Sequence, residues 1–268
     1  MVLFLFLAHL GIGITFTLAL VSRDAGVKFF RFNAGMAAIL VAVGFAFRPG
    51  DTRPFSALPL LDIVAMAALL VMEALLLLHW ATVGRALGRY RSAIVGTAIA
   101  AGVVTLVSQA LAVTAGWPLP SQALTIASFV TSAALLGGAC TAMVLGHWYL
   151  ILPSMEVSHL QSIVKFHIAS LVVRVAVVGA AVFLAIAAWH PGLGMSFRYY
   201  ITSIQGIFFW QRVLFGLLGP AFLSYLTWET AKIRSTQSAT GILYVDFFTV
   251  VVGEVLAKYL LLATRVPV

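Results

Sequence analysis

Eight apolar runs follow one another along the chain, at about residues 2–21, 29–47, 58–80, 92–116, 124–150, 163–189, 199–227 and 241–263, with only short polar stretches between them. A helix that crosses a bilayer needs roughly 20 consecutive apolar residues. Runs of this length and number predict an all-α polytopic membrane protein: eight transmembrane helices in one compact bundle, with residues 1–268 a single membrane domain and no sizeable soluble part. Composition agrees, since 62% of the residues are hydrophobic, only 9% are charged and the mean hydropathy is +1.09, whereas a soluble domain carries about 25% charged residues.

The formal charge of +8 would suggest nucleic acid in a soluble protein. Near span ends, basic residues are topology signals and lipid-headgroup contacts instead, so lipids are expected as partners and nucleic acid is not. The single cysteine, Cys140, lies inside an apolar run and allows neither an intrachain disulfide nor an all-cysteine metal site. The first run has no basic residue before it and no small-residue cleavage site after it, so it reads as a retained span rather than a signal peptide. Turns are expected at Arg48-Pro49-Gly50-Asp51, at Trp117-Pro118-Leu119-Pro120, at Pro153 and at Trp189-His190-Pro191-Gly192. Span four is rich in Ala, Gly, Ser and Thr, which lets helices approach closely in lipid. It is expected at the centre of the bundle, with span five buried against its neighbours.

The basic residues divide unevenly between the two sides. Arg23, Lys28, Arg31, Arg85, Arg89, Arg91, Lys165, Lys232 and Arg234 fall on one side, against Arg48, Arg53, Arg198 and Arg265 on the other. The positive-inside rule puts the first set in the cytoplasm. The expected setting is thus the inner membrane, with both termini outside the cytoplasm. His79, His147, His159 and His167 then lie toward the cytoplasmic face, and His9 and His190 toward the outer one.

By their position within the spans, six charged residues fall in the hydrocarbon region: Glu73, Arg174, Arg212, Asp246, Glu254 and Lys258. An ionisable side chain near the bilayer centre costs about 2.5 to 3.5 kcal/mol on insertion scales, so such groups pair, or they mark proton and substrate paths. Glu254 and Lys258 stand four apart in the favourable order for a helical pair. The two arginines then need Glu73, Asp246, a glutamine or a bound anion. The structural alternative is interhelical pairing that fixes the bundle. The functional one gives Glu73 to proton transfer, and Arg174 and Arg212 to an anionic or carbonyl-bearing ligand.

Two spans close on the same dipeptide, His79-Trp80 and His147-Trp148. A b-type haem takes two imidazoles at one depth on facing helices, and His79 and His147 meet the depth condition, with His167 as a third candidate. An aromatic belt at the headgroups has the same signature. Hydrogen bonding to a quinone is the other chemistry open to these imidazoles. The chain has no phosphate-cradling loop or zinc helix, no nucleophile elbow and no cluster of aspartates for a magnesium diphosphate. The polar stretch Ser235 to Gly241 reads as a loop that caps the last span.

With its eight spans, interior Glu and Arg residues and an acidic residue after glycine at Gly253-Glu254, the chain resembles the quinone-interacting membrane anchors of polysulfide-reductase and dimethyl-sulfoxide-reductase type complexes. That resemblance implies a quinol site at one face and an iron–sulfur partner that takes the electrons, usually with no haem in the anchor; the histidines here are more numerous than that pattern. The expectation is a membrane subunit of a respiratory or photosynthetic electron-transfer complex, not catalytic alone. It offers a quinone or haem b site, with Glu73, Arg174 and Arg212 handling protons or quinone and His79, His147 and His167 as ligands. A transporter or channel with a charged midplane site is the competing class, and a purely structural scaffold the third.

Overall fold

The computed structural model describes residues 1–50, 59–151, 156–189, 196–233 and 235–268. Among them the regular elements are all helical: α1 (Val2–Thr17), α2 (Gly26–Ala46), α3 (Leu60–Thr82), α4 (Arg91–Val113), α5 (Leu119–Ile151), α6 (Ser158–Ala187), the short α7 (Phe197–Thr202), α8 (Ile207–Val213), α9 (Gly219–Lys232) and α10 (Thr236–Thr264). Seven stretches are long and apolar enough to cross a membrane: α2 to α6, the segment Ile204–Lys232 that contains α8 and α9, and α10. The chain is an all-α polytopic membrane protein. A helix suits lipid because it satisfies every backbone polar group within itself.

The first apolar run departs from expectation. Its helix, α1, has 16 residues and is about 24 Å long by the helical rise, short of the roughly 30 Å hydrocarbon core. Nearly all its side chains from Phe4 to Thr17 are buried, and a helix that is apolar all round belongs inside a bundle. The architecture is therefore seven spans and one shorter interior helix. The seventh run also differs. It holds the separate α7, a 3-10 turn at Ile204–Gly206, then α8, a π turn over Leu214–Leu218, and α9. Gly219 and Pro220 open α9, so proline sits in the first turn, where its missing N–H costs nothing.

At the centre stands α5, not α4. It is the most buried of the long helices and packs against α6, α1, α10 and α4. Its crossing with α1 brings backbones into contact: a Cβ on Gly13 would overlap the Ala133 carbonyl oxygen, and one on Gly137 would overlap the main chain of Gly13. Small residues at Ala133 and Gly137, four apart, make this approach possible. Thr17 and Thr141 share a 2.6 Å hydroxyl hydrogen bond farther along the same crossing. Helix α4 is equally rich in small residues, but several, including Gly96, face open space.

Contacts among the loops place the basic segments together. His159 Nε2 lies 3.4 Å from Asp24 Oδ2, joining the α1–α2 connection to the start of α6. Arg31 lies over Trp80, Arg91 over Phe30, and Lys165 and Lys232 both over Trp228. The α3–α4 turn meets the start of α2 where Gly84, at φ +74°, faces Val27; a Cβ there would be both strained and crowded. At the opposite end the Met1 amine donates to the Phe47 carbonyl. The stretch Ser235 to Gly241, expected as a loop, is helix from Thr236 onward, and the Ser235 hydroxyl donates to Ser238 instead of capping a backbone N–H. The expected turn residues Asp51, Pro153, His190, Pro191 and Gly192, and the basic Arg53 and Arg234, lie outside the described residues.

Candidate functional site

The buried face of α10 carries Asp246, Glu254 and Lys258 at helical spacing, all at most 1% exposed. Opposite it, α5 presents Ser128 and Ser132 one turn apart, α6 presents Arg174, and α8 presents Arg212 from just before the π turn. Four helices thus converge on one carboxylate. Glu254 accepts side-on from Arg174, Nε at 3.0 Å and Nη2 at 3.2 Å, and accepts from Arg212 Nη2 at 2.8 Å. Arg174 Nη1 donates to Ser128 Oγ at 2.7 Å, and its Nη2 also reaches the Val268 carbonyl at 3.3 Å. Lys258 Nζ donates to Ser132 Oγ at 2.6 Å and stands 3.7 Å from Glu254.

The expected Glu254–Lys258 pair exists, yet it is the weaker part of the arrangement, because Glu254 serves both arginines first. A side-on guanidinium–carboxylate contact is the strongest of these geometries. Arg212 is left incomplete: its Nε and Nη1 are buried with no acceptor. Each such group costs about 1–3 kcal/mol when unpaired. The guanidinium lies against bare main chain, since a Cβ on Gly216 would overlap Nη1 and one on Gly253 would stand 3.2 Å from it.

From this cluster the Phe129 ring leads to further buried polar groups toward the Met1 end. Lys258 Nζ lies 5.3 Å over the Phe129 ring, and His9 packs edge-on against the same ring at 4.6 Å. His9 is wholly buried, with the Gln109 side chain as its adjacent polar group; neither ring nitrogen makes a well-formed hydrogen bond. Gln109 in turn lines a cavity of about 330 Å³ whose wall includes Phe4, Met66 and Ala112 and whose other polar groups include Arg48 and Asp62.

The histidines read as ligands are not brought together. His79 is buried beside Thr15 of α1, Leu18 just after it, and Ile94 and Val95 of α4. His147 is exposed, with Nδ1 3.2 Å from the Tyr244 hydroxyl of α10. His167 Nε2 sits 2.8 Å from Asp246 Oδ2, both buried, at an angle outside a normal hydrogen bond. The two tryptophans bracket α2: Trp148 packs on Phe29 at 5.8 Å, and Trp80 lies against Gly35. Helix α2 thus contacts both His-Trp ends, and His79, His147 and His167 each have different neighbours.

Arg174 and Arg212 meet at Glu254, while Glu73 does not join them. It is half-buried on α3 with its Oε2 buried and unpartnered. Asp246, one of the acids expected for the arginines, is taken by His167. Sequence reasoning missed Gln109, Ser128 and Ser132, and treated His9 only as a residue near the outer face. Ser128 and Ser132 carry a readable signal, two hydroxyls four apart on a span that holds no charge; Gln109, a lone amide within span four, carries another. The sequence matches none of the protein-family models it was compared with, and comparison with curated proteins gives no match either.

Proposed function

We propose that this chain is a quinone-handling membrane subunit of a larger electron-transfer assembly, with partner subunits supplying the metal centres that one cysteine cannot build. The observation that carries the reading is the buried row from the 330 Å³ cavity through Gln109 and His9, with the Phe129 ring between His9 and the Glu254 cluster. An apolar cavity with a few convergent polar groups is the usual form of a ligand site. A quinone ring needs such a slot, donors for its carbonyl oxygens and a route for the two protons that accompany two electrons. In this reading Gln109 donates to a carbonyl, His9 exchanges a proton and the arginines hold developing negative charge. Glu73 keeps a proton-transfer role in this reading, through its unpartnered oxygen.

Binding of decylubiquinone to the purified chain in lipid nanodiscs tests the proposal. Gln109→Leu is expected to weaken binding about tenfold, the loss of one hydrogen bond of roughly 1.4 kcal/mol. Wild-type protein that binds no quinone would remove the reading.

The inner membrane, with the basic end in the cytoplasm, is the proposed setting, supported by the excess of arginine and lysine at that end. An introduced cysteine at Arg89 is expected to react with a membrane-impermeant maleimide in inverted vesicles and not in right-side-out ones. The reverse pattern would turn the bundle over.

One observation favours a second reading, transport of an anion. The interruption between α8 and α9 lies beside Arg212, and broken helices commonly line substrate sites in transporters. Uptake of a labelled anion by vesicles holding the chain alone, without quinone binding, would select it.

A further inference from the structure

We infer that the cleft between α7, α8 and the end of α10 holds one anionic phospholipid, with its phosphate at Arg265 and an acyl chain running inward past Tyr259 and Phe208. The inference needs only that the chain spans a membrane, and it is independent of the quinone reading.

The space is present in the fold. A cleft of about 550 Å³ has Phe197, Tyr200, Gln205, Phe208, Tyr259 and Thr264 among its walls. A second of about 220 Å³ adjoins it, sharing Phe197 and Thr264 and adding Trp189 and Arg265. The larger one falls within the usual range of ligand pockets, about 300–1,000 Å³. Its walls are chiefly aromatic: Phe197 stacks on Tyr200 at 5.8 Å, and Phe208 meets Tyr259 edge-on at 5.2 Å. Phe208 and Tyr259 are each 41% exposed, so the cleft opens to the outside of the bundle, where lipid lies.

Depth sets the direction of the ligand. Arg265 closes α10, and Tyr259 stands six residues earlier, about 9 Å nearer the middle of the bundle by the helical rise. The surface is therefore cationic at its end and aromatic below, with tyrosine hydroxyls and the Gln205 amide as hydrogen-bond donors along it. Aromatic residues of this kind gather at the level of lipid headgroups. A molecule with an anionic head and a hydrocarbon tail matches that order, whereas a free anion makes no use of the apolar walls.

Charge selects the head. The sequence has no Asp or Glu between Glu156 and Glu229 and none after Glu254, so α6, α7, α8 and the end of α10 offer Arg265 no acidic side chain. Arg265 is exposed and enters none of the ion pairs or cation–ring contacts among the described residues. At the opposite end of the bundle the cations are engaged: Arg31, Arg91, Lys165 and Lys232 lie over rings, and Lys232 also pairs with Glu229. Arg198, exposed on α7 next to Phe197, adds a second cation at the cleft's end of the bundle. A headgroup with net negative charge opposes both.

The test uses the full chain, stripped of lipid in a non-ionic detergent. Native mass spectrometry counts the lipids bound as phosphatidylglycerol or phosphatidylcholine with the same acyl chains is added. Wild type is expected to bind one phosphatidylglycerol about fivefold more tightly than phosphatidylcholine, the worth of one arginine near an anionic headgroup. Arg265→Asn, chosen because asparagine tolerates the left-handed backbone at φ +59°, is expected to abolish that preference, and Arg265→Lys to retain it. Phe208→Ala is expected to weaken both lipids alike, and Arg89→Gln, at the opposite end, to behave as wild type. Glycerol phosphate, which has the charge without the chains, is expected not to compete. Equal affinity of wild type for the two lipids, a preference that survives in Arg265→Asn or is lost in Arg89→Gln, or full competition by glycerol phosphate overturns the inference.

Discussion

Glu254→Gln is expected to destabilise the bundle by about 3–5 kcal/mol, the cost of breaking a buried ion pair by removing one partner. Glu254 is the shared acceptor of Arg174 and Arg212 and the near neighbour of Lys258. The amide keeps the shape but leaves three cations packed together with no opposing side chain, and it turns one acceptor oxygen into a donor. Lys258→Met, by contrast, removes a charge already in excess while preserving length and apolar contact. It loses the bond to Ser132, so its expected effect is within about 1 kcal/mol of neutral. Unfolding in mixed micelles of mild detergent and dodecyl sulfate measures both. Equal losses for the two variants would mean that the cluster is not organised around Glu254.

Gly13→Ala and Gly137→Ala are each expected to cost about 3 kcal/mol or more, at the upper end of overpacking penalties. The added methyl would meet backbone on the partner helix in both cases, and backbone cannot rotate aside as a side chain can. The same change at Gly96 of α4 or Gly179 of α6, where no atom lies within 4 Å of the new Cβ, is expected to be neutral or to stabilise by about 0.5–1 kcal/mol through helix propensity. Unfolding midpoints of the four variants provide the check. A Gly137→Ala protein as stable as Gly179→Ala would mean that α1 and α5 do not cross as described.

Span positions were legible because they depend on composition over about twenty residues, which a sequence displays directly. The limits of α2, α3 and α6 fall within a few residues of the apolar runs. What a run of apolar residues does not display is which sides of it meet another helix. Span four read as the one rich in small residues, but it is in α5 that Ala133 and Gly137 meet a glycine, Gly13, on another helix. The same limit applies to charge. Glu254 and Lys258 could be paired from their spacing alone, whereas the choice of Glu254 over Asp246 or Glu73 as partner of both arginines depends on how α6 and α8 rotate against α10. The pairing of His79 with His147 rested on depth alone, and depth says nothing about what lies across the bundle. α1 misled because its apolar run continues past the helix end at Thr17 into the turn before Arg23.

The cluster also sets an order on biosynthesis. Arg174 and Arg212 precede Glu254 in the chain by 80 and 42 residues, so both enter the membrane before their common acceptor has been made. At a synthesis rate of 5–20 residues per second, Arg174 waits roughly 4 to 16 s and Arg212 about half as long. During that interval the nascent bundle carries uncompensated positive charge at hydrocarbon depth, a state that favours retention at the insertion machinery or association with other helices. The arrival of α10 ends it, which makes α10 the step that commits the helices before it to their packing.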